Sequence, residues 1–246
     1  RAAGRAVELG ITLNMAPSEP ASDVAADREA TRRADGLGIR LYVDPLVRGR
    51  YPEDVVADLA EQGVWLPVQD GDLPIIATPI DVLGVNYYSA HRIAGTDAAG
   101  RSVDETGRPV SRTVPHGEPV TAMGWEIVPH GITDLLLRLA RDYPGLPLMI
   151  TENGAAFDDV PDEHGFVADD DRVDYLAGHV RAVADAVARG ADVRGYFAWS
   201  LLDNFEWSFG YDKRFGLVRV DYATQERAPK RSALWYRDTI RRVRGG

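Results

Sequence analysis

Residues 146–154 read LPLMITENG, which joins a short apolar run to a carboxylate and a turn-forming pair. The run over residues 146–151 does not alternate between apolar and polar residues, and continuous runs of this kind are typical of strands buried on both faces of a parallel sheet. The strand is therefore predicted to end beside Glu152, with Asn153 and Gly154 forming a turn. Because active sites of parallel α/β proteins lie at the carboxyl ends of strands, Glu152 is a candidate catalytic residue.

Three more apolar runs have this character, over residues 10–14 (GITLN), 82–88 (VLGVNYY) and 193–202 (VRGYFAWSLL). Helical patterns cover residues 23–41, 52–62, 130–142, 171–189 and 230–243. This order predicts an α/β fold with a parallel sheet, and the Gly- and Pro-rich residues 94–121 predict a long loop. No linker divides the chain, so residues 1–246 are predicted to form a single domain. A closed (β/α)8 barrel needs eight strands, and only four are found.

Composition excludes several classes of partner. Lys and Arg total 28 against 38 Asp and Glu, so the formal net charge of −10 argues against nucleic acid or an anionic membrane as the main partner. The chain contains no Cys, which excludes disulfides and thiolate metal sites. No apolar run approaches the roughly 20 residues of a membrane helix, and the five histidines lack metal-ligand spacing. We therefore expect no metal and no cofactor, and a cytoplasmic protein.

Residues 199–222 (WSLLDNFEWSFGYDKRFGLVRVDY) are the segment richest in binding chemistry. Aromatic faces contact the C–H face of a sugar ring, and carboxylates and amides bind its hydroxyls, so a mixed segment of this kind favours a carbohydrate over an anion or a lipid. The alternative is that the aromatic residues belong to the core and the acids face solvent. The residues concerned are Trp199, Phe205, Trp207, Phe209, Tyr211 and Phe215 among Asp203, Asn204, Glu206 and Asp212.

Two shorter segments add candidates. Alternation along a strand places Asn86 and Tyr88 on one face, from which a tyrosine hydroxyl is predicted to reach a carboxylate on the next strand. Trp125 lies in the loop before the helix at residues 130–142 and is a candidate for the rim of a cleft. The alternatives are a purely structural tyrosine and, for Glu152, a solvated side chain beside an Asn-Gly turn.

Together these segments resemble the C-terminal half of a glycoside hydrolase family 1 β-glucosidase. The resemblance covers nearly the whole chain, through GITLNMAPSEPAS (10–22), GVNYY (84–88), MGWEI (123–127), ITENGAAF (150–157) and residues 199–222. It implies strands five to eight of a (β/α)8 TIM barrel with their helices, without the N-terminal half. It also implies hydrolysis of terminal β-linked sugars with retention of configuration.

The resemblance assigns catalytic roles residue by residue. Glu152 matches the nucleophile of the family, and Tyr88 matches the tyrosine that orients it. Retention requires a second carboxyl group about 5–5.5 Å away that protonates the leaving oxygen. In the family this acid/base lies in an Asn-Glu-Pro motif, which this chain does not contain. Its two Glu-Pro sequences, at Glu19 and Glu118, do not match the place of that motif and are not assigned.

The resemblance also assigns a sugar-binding wall. Trp199 matches the platform under the sugar ring, and Trp125 the platform on the side of the leaving group. Glu206 matches the carboxylate that binds the 4- and 6-hydroxyls, and Trp207 the indole that donates to the 3-hydroxyl. Phe215 resembles a wall near position 6. Because a carboxylate at Glu206 repels phosphate, an unphosphorylated sugar is predicted.

The implied substrate is a β-glucoside or a short β-linked oligosaccharide, with β-galactosides and β-fucosides sharing the same residues. Alone, the chain is expected to be nearly inactive, because general-acid help is worth about 10²–10⁴-fold in rate. The expected partner is the missing N-terminal half of the barrel. Two alternatives remain open: a non-catalytic sugar-binding half-barrel that leaves Glu152 idle, and one half of a split enzyme.

Overall fold

A computed structural model describes residues 7–245. Among these residues, no helix combines the length and the apolar character needed to cross a membrane. The elements in chain order are β1 (Gly10–Asn14), β2 (Ser18–Pro20), α1 (Ala25–Asp35), a π-helical turn (Gly36–Arg40), α2 (Leu41–Arg48), α3 (Glu53–Glu61), α4 (Asp72–Ile76), β3 (Val82–Asn86), β4 (His91–Ala94), β5 (Arg112–Val114), α5 (Pro129–Asp142), β6 (Leu148–Asn153), α6 (Asp170–Ala188), β7 (Val193–Ala198), a 3-10 turn (Trp207–Phe209), β8 (Val218–Val220), β9 (Arg227–Pro229) and α7 (Arg231–Arg244).

The four predicted strands form one parallel sheet in the order β1-β3-β6-β7. Each pair is parallel, and the sheet follows the order of the chain, as expected when helical segments connect successive strands. The fold class and the parallel pairing predicted from the apolar runs are confirmed. Two small sheets lie outside this frame: β2-β4-β5, and the antiparallel pair β8-β9.

The main core lies between the two central strands and α5. The apolar stripe predicted for this helix is buried, because its residues recur at the spacing of one helical face. On the sheet, Leu83 and Val85 of β3 and Leu148 and Ile150 of β6 are at most 1% exposed. The stripe of α5 comprises Ile132, Leu135, Leu136 and Leu139.

The outer strands differ from the sequence prediction. All four strands were expected to be buried on both faces, and this is wrong for β1 and β7. Ile11 of β1 is 38% exposed and Phe197 of β7 is 56% exposed, and Leu201 beyond β7 is 68% exposed. Side chains project from the faces of a sheet, so this exposure means that no element within residues 7–245 covers these side chains at the two ends of the sheet, where each strand also has a neighbour on one side only.

The largest difference in element bounds concerns the first helix. The pattern over residues 23–41 predicts one helix, but the helical path begins at Ala25 and runs through the π-helical turn to Arg48. Gly49 ends it with a φ of +68°, a left-handed conformation that glycine adopts without a steric penalty.

Strand ends also shift by a few residues. The run 82–88 ends its pairing at Asn86, the run 146–151 continues to Asn153, and the run 193–202 stops at Ala198. The short helix α4 was not predicted, and the predicted loop 94–121 contains the short strand β5.

We predict that Leu136→Ala lowers the free energy of unfolding by about 2–5 kcal/mol, because it leaves a cavity in the main core. Leu136 is fully buried, whereas Leu234 of α7 is 39% exposed. Leu234→Ala is therefore the matched control and should cost under about 1 kcal/mol. Urea unfolding followed by circular dichroism measures both values. Equal losses in the two variants would contradict this assignment of the core.

A second prediction concerns the open edge at β7. Phe197, Leu201, Leu217 and Ile240 line an apolar groove there, and exposed apolar edges promote self-association. Introducing charge with Phe197→Lys and Leu201→Lys should lower self-association, measured by sedimentation over a range of concentrations. Val160→Lys is the control, since Val160 is 78% exposed but is not among the groove residues. An equal decrease with Val160→Lys would show that net charge, not the groove, is responsible.

Candidate active site

The carboxyl ends of β3 and β6 bring the first two candidate residues into contact. The Tyr88 hydroxyl donates to Oε2 of Glu152 at 2.6 Å. The backbones also pair here, because the Tyr87 N–H donates to the Glu152 carbonyl at 2.9 Å. The register between the strands shifts at Val85 and Asn86, just before these residues. Parallel pairing thus sets a tyrosine beside a carboxylate at one edge of the sheet.

Tyr88 acts as a hydrogen-bond donor in this pair. Burial, followed by the hydrogen bond to the Glu152 carboxylate, raises the pKa of the Tyr88 hydroxyl well above its usual value. The hydroxyl therefore keeps its proton at neutral pH. A hydrogen bond to an ionised carboxylate is stronger than one between neutral groups, so Tyr88 holds one oxygen of Glu152 in a defined place.

Two further candidates pack around Tyr88. The Tyr88 ring lies 5.4 Å from the Trp125 ring and 6.3 Å from the Phe215 ring, measured between centroids. Trp125 and Phe215 are themselves 6.3 Å apart, so the three rings form one aromatic cluster. Phe215 is only 1% exposed. It therefore supports the other two rings from behind and does not present an open surface.

Trp199 follows directly after β7 and is tied to β6. Its backbone N–H donates to the Asn153 carbonyl at 2.9 Å. A Cβ atom on Gly154 would lie 1.7 Å from the Trp199 carbonyl oxygen, so only glycine allows this approach. The sequence assigned Asn153 and Gly154 to a turn, and that assignment is wrong for Asn153, which is the last residue of β6. The glycine serves close packing between two segments.

Glu206 and Trp207 lie farther along the same loop. The Glu206 N–H donates to the Gly210 carbonyl at 2.6 Å, and the Phe209 N–H donates to the Glu206 carbonyl at 2.8 Å, which makes a tight loop. Partial burial, and then the negative charge of Glu152, raise the pKa of the Glu206 carboxyl. The carboxylates of Glu206 and Glu152 are therefore close enough to interact electrostatically. The neighbouring Trp207 is 81% exposed.

Sequence reasoning missed the structural role of Asn153. This fully buried side chain donates from Nδ2 to the Tyr87 carbonyl at 2.8 Å and to the Tyr175 hydroxyl at 3.1 Å. Its Oδ1 accepts from the Tyr196 hydroxyl at 2.6 Å. Asn153 thus connects β3, β6, β7 and α6. The signal for this role was an asparagine next to an apolar strand, where asparagine is disfavoured unless its side chain is paired.

Glu126 was also missed as an organiser of the loop that carries Trp125. Its carboxylate accepts from the backbone N–H groups of His116, Gly117 and Glu118 at 2.8–3.2 Å. These bonds, the one to His116 first, lower the pKa of Glu126 to about 2. The Nε2 atom of His116 lies 3.3 Å from Glu19 Oε1, so one of the two unassigned Glu-Pro residues lies against this loop.

The arrangement has a definite chemical capacity. An ionised Glu152 held by a neutral donor can attack an electrophilic carbon, and the aromatic cluster and Glu206 beside it can bind a neutral polyhydroxyl ring. Within residues 7–245, no group of three or more His, Asp or Glu side chains is placed to hold a metal ion.

Comparison with known proteins identifies the family of the chain. The family model for glycosyl hydrolase family 1 matches residues 1–244. The chain is 45% identical over 247 residues to a bifunctional β-D-glucosidase/β-D-fucosidase of Bifidobacterium breve, covering 97% of this chain and 52% of that protein. The chain therefore spans about half the length of this curated relative.

Solved structures show the same relation. The fold matches a family 1 β-glucosidase from Exiguobacterium antarcticum B7 with a TM-score of 0.89 and 41% identity, over 98% of this chain and 53% of that one. A family 1 β-glucosidase from Thermotoga maritima in complex with isofagomine lactam matches with a TM-score of 0.85 and 41% identity, over 95% of this chain and 51% of that one. The four-stranded sheet is half of a TIM barrel, and the chain belongs to glycosyl hydrolase family 1.

Proposed function

We propose that this chain carries the nucleophile and the sugar-binding wall of a retaining β-glucosidase. The observation that carries the proposal is the 2.6 Å hydrogen bond from Tyr88 to Glu152 at the strand ends, beside the aromatic cluster and Glu206. The substrate class is a β-glucoside or short β-linked oligosaccharide with an unphosphorylated sugar. The B. breve relative, named for both activities, supports β-fucosides as further substrates.

The reaction starts at the free oxygen of Glu152. This oxygen attacks the anomeric carbon while the bond from that carbon to the leaving oxygen breaks, and the product is a glycosyl ester of Glu152. Tyr88 holds the other carboxylate oxygen and keeps the attacking one in line. The leaving oxygen takes a proton from a general acid. Water then attacks the anomeric carbon and gives a proton to the deprotonated acid, which restores both that acid and the Glu152 carboxylate.

The general acid is proposed to lie in the other half of the barrel. The chain covers about half of its relatives, and β1 and β7 present open edges to which further strands can pair. These open edges favour the hypothesis that the chain assembles with a second half of the barrel. They argue against the alternative of a sugar-binding module that acts alone. Whether that half is part of a longer chain or a separate protein, the nucleophile and the acid then come from opposite halves.

Sugar recognition is assigned to the loop after β7. Trp199 provides the apolar platform, and Glu206 accepts hydrogen bonds from the 4- and 6-hydroxyls. Trp207 is 81% exposed, which leaves its indole N–H available to donate to the 3-hydroxyl. Glu206 repels a phosphate at position 6, which excludes phosphorylated sugars.

The nucleophile is tested by covalent labelling. A 2-deoxy-2-fluoro-β-glucoside with a dinitrophenolate leaving group needs little acid help, so it should form an ester on Glu152 even without the general acid. Peptide mass spectrometry should locate the sugar on Glu152, and Glu152→Gln should abolish it. Glu163→Gln is the matched control, because its side chain is 87% exposed and lies against the exposed side chain of His164.

The labelling test has one outcome against the proposal. If Glu152 is unlabelled in the chain alone and also after addition of the N-terminal half of a family 1 enzyme, the nucleophile assignment is wrong. Labelling only in the mixture would instead favour the split-enzyme form of the proposal.

A pH titration tests the coupling between the two carboxylates. The pKa of Glu206 is expected above its ordinary value of 4.5, because burial and the charge of Glu152 both oppose its ionisation. Sugar binding through the ionised Glu206 should therefore weaken as the pH falls through this raised pKa. Glu152→Gln removes the neighbouring charge and should lower the pKa of Glu206. This pKa is the midpoint of the pH titration of the Glu206 carboxyl carbon, followed by NMR. Glu163→Gln should leave it unchanged, and a midpoint below 4.5 in the unaltered chain would contradict the geometry.

A further inference from the structure

A network of buried charges lies under the loop that carries Glu206. It balances three carboxylates against three cations, and five of its six side chains are at most 3% exposed, with Arg214 at 26%. We name this group the ion network; its members are Asp159, Asp169, Arg172, Asp203, Arg214 and Lys230. Buried charges are costly unless they are paired, so the positions of these groups are strongly coupled.

Asp203 closes the base of the loop. It lies three residues before Glu206, and its carboxylate accepts from the Gly216 N–H at 2.9 Å and the Val220 N–H at 3.3 Å. Arg214 adds a contact of 3.1 Å. These bonds join the two ends of the segment from Asp203 to Val220, which contains Glu206. They do not attach that segment to the rest of the protein.

Lys230 ties this base to the body of the protein. Its Nζ donates to Asp203 Oδ1 at 2.8 Å and also to Asp159, and its side chain is fully buried. Asp159 follows β6, the strand that carries Glu152, and Arg172 of α6 binds it through two nitrogens at 2.9 and 3.1 Å. The only side-chain cation in contact with both Asp159 and Asp203, among the residues the structure describes, is Lys230.

We propose that Lys230 is a positioning residue for Glu206: by holding Asp203 against Asp159, it fixes the loop that binds the sugar relative to the strand that carries the nucleophile. This inference rests on the proposed function, because it concerns the use that function makes of Glu206. Lys230 touches no reacting atom. Its effect is on which hydroxyls the site recognises, through the placement of one carboxylate.

The test compares Lys230→Met with Arg231→Met. Arg231 is the next residue and forms an exposed pair with Asp170, so its variant loses a charge and an ion pair outside the ion network. The first readout is hydrogen exchange of peptides covering residues 203–217. Lys230→Met should speed exchange there by roughly tenfold or more, without an equal change in β3 and β6, since loops open locally when their ties are removed. Arg231→Met should leave these peptides unchanged.

The second readout is sugar discrimination. Fluoroglycoside probes with glucosyl and xylosyl rings differ by the hydroxymethyl group that Glu206 is proposed to bind. In Lys230→Met, the preference for the glucosyl over the xylosyl probe in labelling Glu152 should fall by roughly tenfold, the size expected for one hydrogen bond to a charged group. A role in stability alone would slow both probes equally and leave the preference intact.

A second variant covers the case in which Lys230→Met does not fold. The double variant Lys230→Met, Asp159→Asn removes one charge of each sign, so the ion network stays balanced. The contact of Lys230 with Asp203 and Asp159 is lost. It should show the same faster exchange and the same loss of preference. Unchanged exchange in residues 203–217, in either folded variant, overturns the inference. If the unaltered chain labels with neither probe, alone or after addition of the N-terminal half of a family 1 enzyme, the proposed function fails, and hydrogen exchange still decides whether Lys230 positions the loop.

Discussion

The buried side chain of Asn153 is the constraint on which the candidate site depends. It binds the Tyr87 carbonyl and the Tyr196 hydroxyl at 2.8 and 2.6 Å, so the ends of β3, β6 and β7 are fixed to one another. Each of these groups would otherwise be buried without a partner, at a cost of about 1–3 kcal/mol. Successive side chains of a strand point to opposite faces. Asn153 lies on the face that packs against α6, so Glu152 lies on the other face, where the Tyr88 hydroxyl binds it.

The site therefore combines two kinds of support. Glu152, the proposed nucleophile, stands on paired strands, where hydrogen bonds and packing leave little freedom. Glu206, the carboxylate proposed to bind the sugar, stands on a long loop whose base is held by four ion pairs to Asp203 and Asp159. This division suits the proposed reaction, because attack on carbon needs a fixed angle whereas recognition of hydroxyls needs a correctly placed charge.

Sequence patterns predicted the elements that depend on local spacing. The continuous apolar runs identified the parallel strands, and the strand-end rule singled out Glu152 before any contact was known. The patterns failed where distant parts of the chain decide the outcome. Ile11 and Phe197 lie in apolar runs like those of the buried strands, but they are exposed because no element within residues 7–245 packs over them at the two ends of the sheet. Lys230 and Asp159 are 71 positions apart, and no local pattern reveals such a pair.

The ion network also gives the loop its own response to heat. Hydration of charged groups becomes less favourable as temperature rises, so the cost of burying these six charges falls on warming, whereas apolar burial gains no comparable advantage. The cost of burying the charges at the Lys230 attachment should therefore fall on heating, while the contribution of the apolar contacts of the sheet levels off. In this chain, temperature then acts differently on the loop that carries Glu206 and on the strand that carries Glu152.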